Sequence, residues 1–159
     1  MDEAAFTELV TQCQAQLYRI ALSYVRNRED ALDVVSESVY RAFVNLRSLK
    51  EPAYFNTWII RITINQAINF SRQKKRSAHP ADLAAEALAG HTLNKDDLLL
   101  LYSAIERLPE NERAVVVLKY LEDLTLAQVA EILGRPLGTV KTHLHSALKA
   151  LRLELKEEF

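Results

Sequence analysis

Apolar residues recur along this chain at steps of three and four, the spacing of helices that bury one face. The first run predicts a helix over 3–25, with Phe6, Leu9, Val10, Cys13, Leu17, Ile20, Ala21 and Tyr24 along one side. The second predicts a helix over 28–46, opened by Asn27 as its N-cap and burying Leu32, Val35, Val39, Phe43 and Leu46. A third, over 53–74, carries Phe55, Trp58, Ile59, Ile62, Ile64 and Ile68 and is apolar on most sides. Such a helix belongs at the centre of a bundle. Four shorter helices follow at 95–107, 109–121, 126–133 and 137–156, with Asn94 and Thr125 as candidate caps. Between the two groups, 77–93 holds six alanines, Pro80 and Gly90, and no Lys, Arg or aromatic residue. The expected fold is therefore all-α: two small helical domains, 1–76 and 94–159, joined by a flexible linker at 77–93.

Composition narrows this further. The chain has 159 residues, 49% hydrophobic and 26% charged, enough for packed cores and too apolar for a disordered chain. Its three Gly and four Pro fall only at predicted breaks, which argues against a turn-rich sandwich or barrel. The single cysteine, Cys13, excludes an internal disulfide and a Cys-rich zinc site, and its apolar helical position reads as core. No early stretch resembles a signal peptide, and no apolar run approaches the roughly 18 residues of a membrane span. The expected location is the cytoplasm. No GxGxxG, P-loop, HExxH or Ser/His/Asp arrangement points to an enzyme.

The formal net charge of −1 conceals local fields. Residues 125–148 read TLAQVAEILGRPLGTVKTHLHSAL. A short helix with Leu126, Val129, Ala130 and Leu133 inward meets a turn containing Gly134, Pro136 and Gly138, then a longer helix. This is helix-turn-helix order. Val140, Leu144, Ala147, Leu148, Leu151 and Leu155 line one side of the longer helix. Lys141, Thr142, His145, Ser146, Lys149 and Arg152 line the other, and 132–153 contains no acid. Solvated faces usually mix charge signs. Hydroxyls and imidazole flanked by cations suit a DNA major groove. His143 and His145, two residues apart, point in different directions and make poor joint metal ligands.

Two further faces stand out in the first half. Asp30, Asp33 and Glu37 cluster on the outer side of the second helix, joined by Arg41 and Val44. Asp33 and Glu37 repel at i,i+4, which costs a helix a few tenths of a kcal/mol. The face fits a basic protein partner, or simply a soluble surface. The third helix carries Arg61, Asn65, Asn69 and Arg72 in a narrow stripe that runs on into Lys74, Lys75 and Arg76 without an acid. With Tyr54, Phe55 and Trp58 just upstream, this suits nucleic acid, including unstacked bases. A core position is the alternative for Phe55 and Trp58, and for Trp58 it is preferred.

Three motifs stand in order: EDALDVVSESVYRAF at 29–43, FNTWIIRITINQAINFSRQKKR at 55–76, and LPENERAVVVLKYLEDLTLAQVAEILGRPLGTVKTHLHSALKAL at 108–151. Together they resemble the bacterial group IV, or extracytoplasmic-function, sigma factors over nearly the whole chain. The resemblance implies a sigma region 2, a linker and a sigma region 4, with no catalysis and no cofactor. It implies binding to core RNA polymerase, at its clamp helices and flap, and to promoter DNA. Asp30, Asp33, Ser36, Glu37, Tyr40 and Arg41 would meet polymerase. Asn65, with Arg61, Asn69, Arg72, Lys75 and Arg76, would meet the −10 element, Asn65 beside a base extruded from the non-template strand. Lys141, Thr142, His145, Ser146 and Lys149 would face the −35 element, with Arg113 and Thr139 supporting phosphate contacts. The family usually has Gln where Ser36 stands, and many members have Arg at His143 and Ser146. It further implies a cognate anti-sigma factor, often membrane-anchored. The competing reading is a helix-turn-helix regulator that binds operators as a dimer without polymerase.

Overall fold

A computed structural model describes residues 1–73 and 95–158. Lys74, Lys75, Arg76, the 77–93 linker and the Asn94 cap lie outside the described residues. Among those described there are seven α-helices and no strand. By its contacts the chain divides into two compact units, Met1–Ser77 and Ala78–Phe159.

Unit 1 is a three-helix bundle of α1 (Glu3–Val25), α2 (Arg28–Val44) and α3 (Phe55–Gln73), each packed against the other two. The α1–α2 turn is two residues long. Arg26 takes the left-handed conformation at φ 53° and its N–H closes on Leu22 O at 2.8 Å. Asn27 then caps α2, its Oδ1 accepting from Asp30 N at 3.1 Å. Leu17, Ile20, Val34, Ile59 and Ile60 form the fully buried centre. Cys13 is buried with them, and burial pushes its thiol pKa up, which keeps it an unreactive core side chain.

Two expectations change here. The second helix ends at Val44, with 3₁₀ turns at Leu46–Ser48 and Pro52–Tyr54 before α3. Its buried face is also rotated from the expected stripe. Ala31, Val34, Val35, Ser38 and Ala42 are inside, while Leu32 and Phe43 are 50% and 48% exposed. Small side chains let α2 lie close to both neighbours, and the buried Ser38 hydroxyl is satisfied by donating to Val34 O at 2.6 Å. Similarly, Thr63 enters the core of α3 by donating to Ile59 O at 2.9 Å.

Unit 2 contains α4 (Lys95–Glu106), α5 (Glu110–Val116), α6 (Leu126–Leu133) and α7 (Leu137–Glu158). The helix α7 is its spine, and α4, α5 and α6 all pack on it. Pro109 is the N-cap of α5 rather than a first-turn residue. The expected helix over 109–121 widens into a π turn at Val117–Leu121, where Glu122 N donates to Val117 O at 3.2 Å. Asp123, left-handed at φ 58°, follows it. Val115, Val117, Leu118, Val129, Val140 and Ala147 are buried to completion. Of the expected inward residues of α6, Leu126, Ala130 and Leu133 are only half-buried, while Val129 and Ile132 fill the core.

The helix-turn-helix is fixed at both ends of α6. Thr125 Oγ1 accepts from Gln128 N at 3.1 Å, and Gln128 Oε1 accepts from Thr125 N at 2.9 Å, a reciprocal capping box. Gly134 leaves the helix at φ 65°, a conformation that glycine adopts without strain. Thr125→Ala removes the side-chain half of this cap. Urea or thermal unfolding should show unit 2 destabilised by about 1 kcal/mol.

Candidate functional site

Three surfaces carry the chemistry expected from the sequence. The first is the outer face of α2. Asp33, Ser36, Glu37, Tyr40 and Arg41 are all exposed there. Tyr40 sits at the centre of the face, 62% exposed, beside the exposed Val44. The Glu37 charge is not isolated: its Oε1 accepts from Arg41 Nε at 2.8 Å, one helical turn away. Asp30 departs from the expectation. It is only 4% exposed, turned into the bundle within the first turn of α2, so it does not belong to this surface. Along the α1 side the face falls into an open groove of about 540 Å³, lined by Phe6, Val10, Val35, Val39, Tyr40 and Phe43.

The second surface lies on the other flank of α2. A groove of about 290 Å³ runs between the end of α2 and α3, lined by Arg41, Asn45, Ser48, Trp58, Ile62, Asn65 and Gln66. Trp58 is half-buried and lines this groove, so the core position preferred from the sequence is not where it sits. Phe55 is the core aromatic, with its ring 6.0 Å from Trp58 and 5.8 Å from Phe6. Arg61, Asn65, Asn69 and Arg72 are exposed along α3 as expected.

The third surface is the solvent side of α7. Thr139, Lys141, Thr142, His145, Ser146, Lys149 and Arg152 are exposed on it. Thr142 donates its hydroxyl to Gly138 O at 3.0 Å, which leaves it an acceptor and a methyl to present outward. His143 is half-buried, whereas His145 is exposed. Arg113 does not join this surface. It is 8% exposed on α5, at the start of that helix's buried stretch Arg113–Val116, so its side chain is largely covered.

Comparison with known proteins decides which family the chain belongs to. The family model for sigma-70 region 2 matches residues 9–77, and that for sigma-70 region 4 matches 98–151. The RNA polymerase sigma factor SigV of Bacillus subtilis is 34% identical over 98% of this chain and 94% of its own length. The chain belongs to the extracytoplasmic-function sigma factors. Another relative, ECF RNA polymerase sigma factor SigW of Bacillus subtilis, is 32% identical over 98% of this sigma factor and 91% of its own length. Among solved structures, CnrH in complex with the cytosolic domain of CnrY matches with a TM-score of 0.77 at 23% identity, over 99% of this chain and 92% of that one. RpoE of Bartonella quintana, solved with the anti-sigma factor NepR, matches at 0.72 and 18%, over 96% and 97%. These two establish that the fold is shared.

The helical arrangement brings together more than the sequence offered. Asn45, at the end of α2, and Ser48, in the 3₁₀ turn that follows, meet Trp58, Asn65 and Gln66 of α3 across this groove. Leu32 and Phe43 reach the surface of the sigma factor because smaller residues take their expected places inside. The sequence signal for this was present in the i,i+4 series Ala31, Val35 and Ala42, Ser38, which competes with the larger apolar stripe. Among the described residues, no helix is long and apolar enough to cross a membrane. The two aromatic neighbours should differ in stability. Phe55→Ala should cost about 3–5 kcal/mol in urea unfolding, whereas Trp58→Ala, losing a half-exposed ring, should cost clearly less.

Proposed function

We propose that this sigma factor binds core RNA polymerase through the outer face of α2 and directs promoter-specific transcription initiation. Residues 1–76 act as region 2, 94–159 as region 4, and 77–93 tether them. It works in the cytoplasm and catalyses no reaction of its own. The observation that carries this reading is the presence, one in each unit, of an exposed cationic face without acids. One lies along α3 and the other along residues 137–153 of α7. A single such face would serve any DNA-binding protein. Two on separate units suit two promoter elements at a spacing set by a larger partner.

The division of labour follows from chemistry. The α2–α3 groove pairs an indole with the neutral amides of Asn45, Asn65 and Gln66. An indole can stack a base for about 1–3 kcal/mol, and the amides can read its edge by donating and accepting. The groove's size suits one unstacked nucleobase of the −10 element. On α7, Lys141 and Lys149 hold phosphates of the −35 element. Thr142, with its proton committed to Gly138 O, accepts from an exocyclic amine or places its methyl against thymine. The apolar and aromatic exposure around Tyr40 suits a stable protein interface better than a solvated surface. An anti-sigma factor that covers α2 and α7 would block both uses.

Run-off transcription with purified core polymerase tests the whole. Core plus this protein should start at defined sites that core alone ignores; equal initiation in the two cases would refute the proposal. Tyr40→Ala, which removes an exposed ring and no charge, should weaken core binding by about tenfold, an ordinary loss for an interface tyrosine, while leaving the unfolding midpoint in place. Lys141→Ala should lower the salt slope of −35 duplex binding by about 1.

A further inference from the structure

Arg41 stands at the edge between two surfaces. The residues around it on α2, Glu37, Tyr40 and Val44, belong to the outer face, yet Arg41 itself lines the α2–α3 groove with Trp58, Asn65 and Gln66. It is the one charged residue in that lining. Its Nε is engaged with Glu37 Oε1 at 2.8 Å, and Glu37 lies one turn back on the outer face. That bond engages Nε alone and leaves the two terminal nitrogens of the guanidinium available to a ligand. The neutral amides and indole of the groove match an uncharged base. A nucleotide brings a phosphate with that base, and nothing else lining the groove can neutralise it.

We propose that Arg41 is a DNA contact and not a polymerase contact: it holds the phosphate of the nucleotide whose base enters the α2–α3 groove, while Glu37 positions it. This rests on the reading of that groove as a base site. Glu37 acts through Arg41 and touches no nucleotide. A guanidinium fits the assignment because its fork can keep one nitrogen on a carboxylate and offer the others to phosphate oxygens.

The test uses the full chain with Arg41→Ala and Arg41→Lys. Two quantities are measured: binding of short single-stranded oligodeoxynucleotides over a series of salt concentrations, and affinity for core polymerase. Arg41→Ala should weaken oligonucleotide binding about tenfold at low salt and lower the log–log salt slope by about 0.7, the value for one phosphate contact on a single strand. Arg41→Lys should recover most of the affinity and the full slope, and core affinity should change by less than about twofold in both variants, since a rim charge contributes little. An unchanged salt slope would overturn the proposal. So would a loss of core affinity as large as the loss of DNA affinity. Trp58→Ala on the same oligonucleotides separates the two claims. If it leaves binding intact, the groove is no base site, and the slope change at Arg41 alone decides the phosphate contact.

Discussion

The close approach of α2 to both α1 and α3 governs what unit 1 shows to a partner. Ala31, Ser38 and Ala42 share the inner face of α2 with Val34 and Val35, and these small side chains let three mutually packed helices approach closely. Turning these residues inward turns Leu32, Tyr40, Phe43 and Val44 outward. Large exposed apolar side chains on a helix bring no benefit to an isolated bundle. Here they follow from burying small ones, and they supply the non-polar centre that a protein interface needs. The same rotation sets Arg41 and Asn45 on the flank next to α3, where the second groove forms. One packing choice thus produces two surfaces on opposite flanks of one helix.

Unit 2 solves a different problem. A reading helix must be held firmly by few residues while most of its length faces solvent. In α7, Val140, Ala147 and Leu151 are the buried contacts, and α4, α5 and α6 converge on that line. The capping box at Thr125 and the left-handed Gly134 set where α6 starts and stops. The π turn at Val117–Leu121 carries the chain out of α5 before that cap. The exposed polar residues of α7 are therefore presented by packing on the far side of the helix.

Helix positions were largely legible in the sequence because periodicity and caps agree. The extent of α1 follows from apolar spacing, the start of α2 from its cap Asn27, and both boundaries of α6 from Thr125 and Gly134. The rotation of α2 was not legible. Helical spacing scores Leu32 and Phe43 as inward because they are large and apolar, whereas a tight bundle selects by volume. Buried charge was equally hidden: Asp30 and Arg113 read as outward by residue type, yet tertiary packing covers both. The surface residues of α3 and α7 were correctly anticipated, since polar residues opposite a well-defined core face have only one place to go. The groove beside Trp58 sets Asn45 at the end of α2 and Ser48 in the 3₁₀ turn against Asn65 and Gln66 of α3, a combination that no local pattern encodes.

Trp58 is the only tryptophan in the chain. It stands half-buried at the lip of a groove lined by amides and a guanidinium, away from the fully buried core. All indole emission from this protein therefore originates at one address. A nucleobase laid against that ring would quench it, and a partner seated on the far flank of α2 would leave it bright. On the proposed reading of that groove, the molecule would carry its own optical label for the step in which a strand opens and a base leaves the stack.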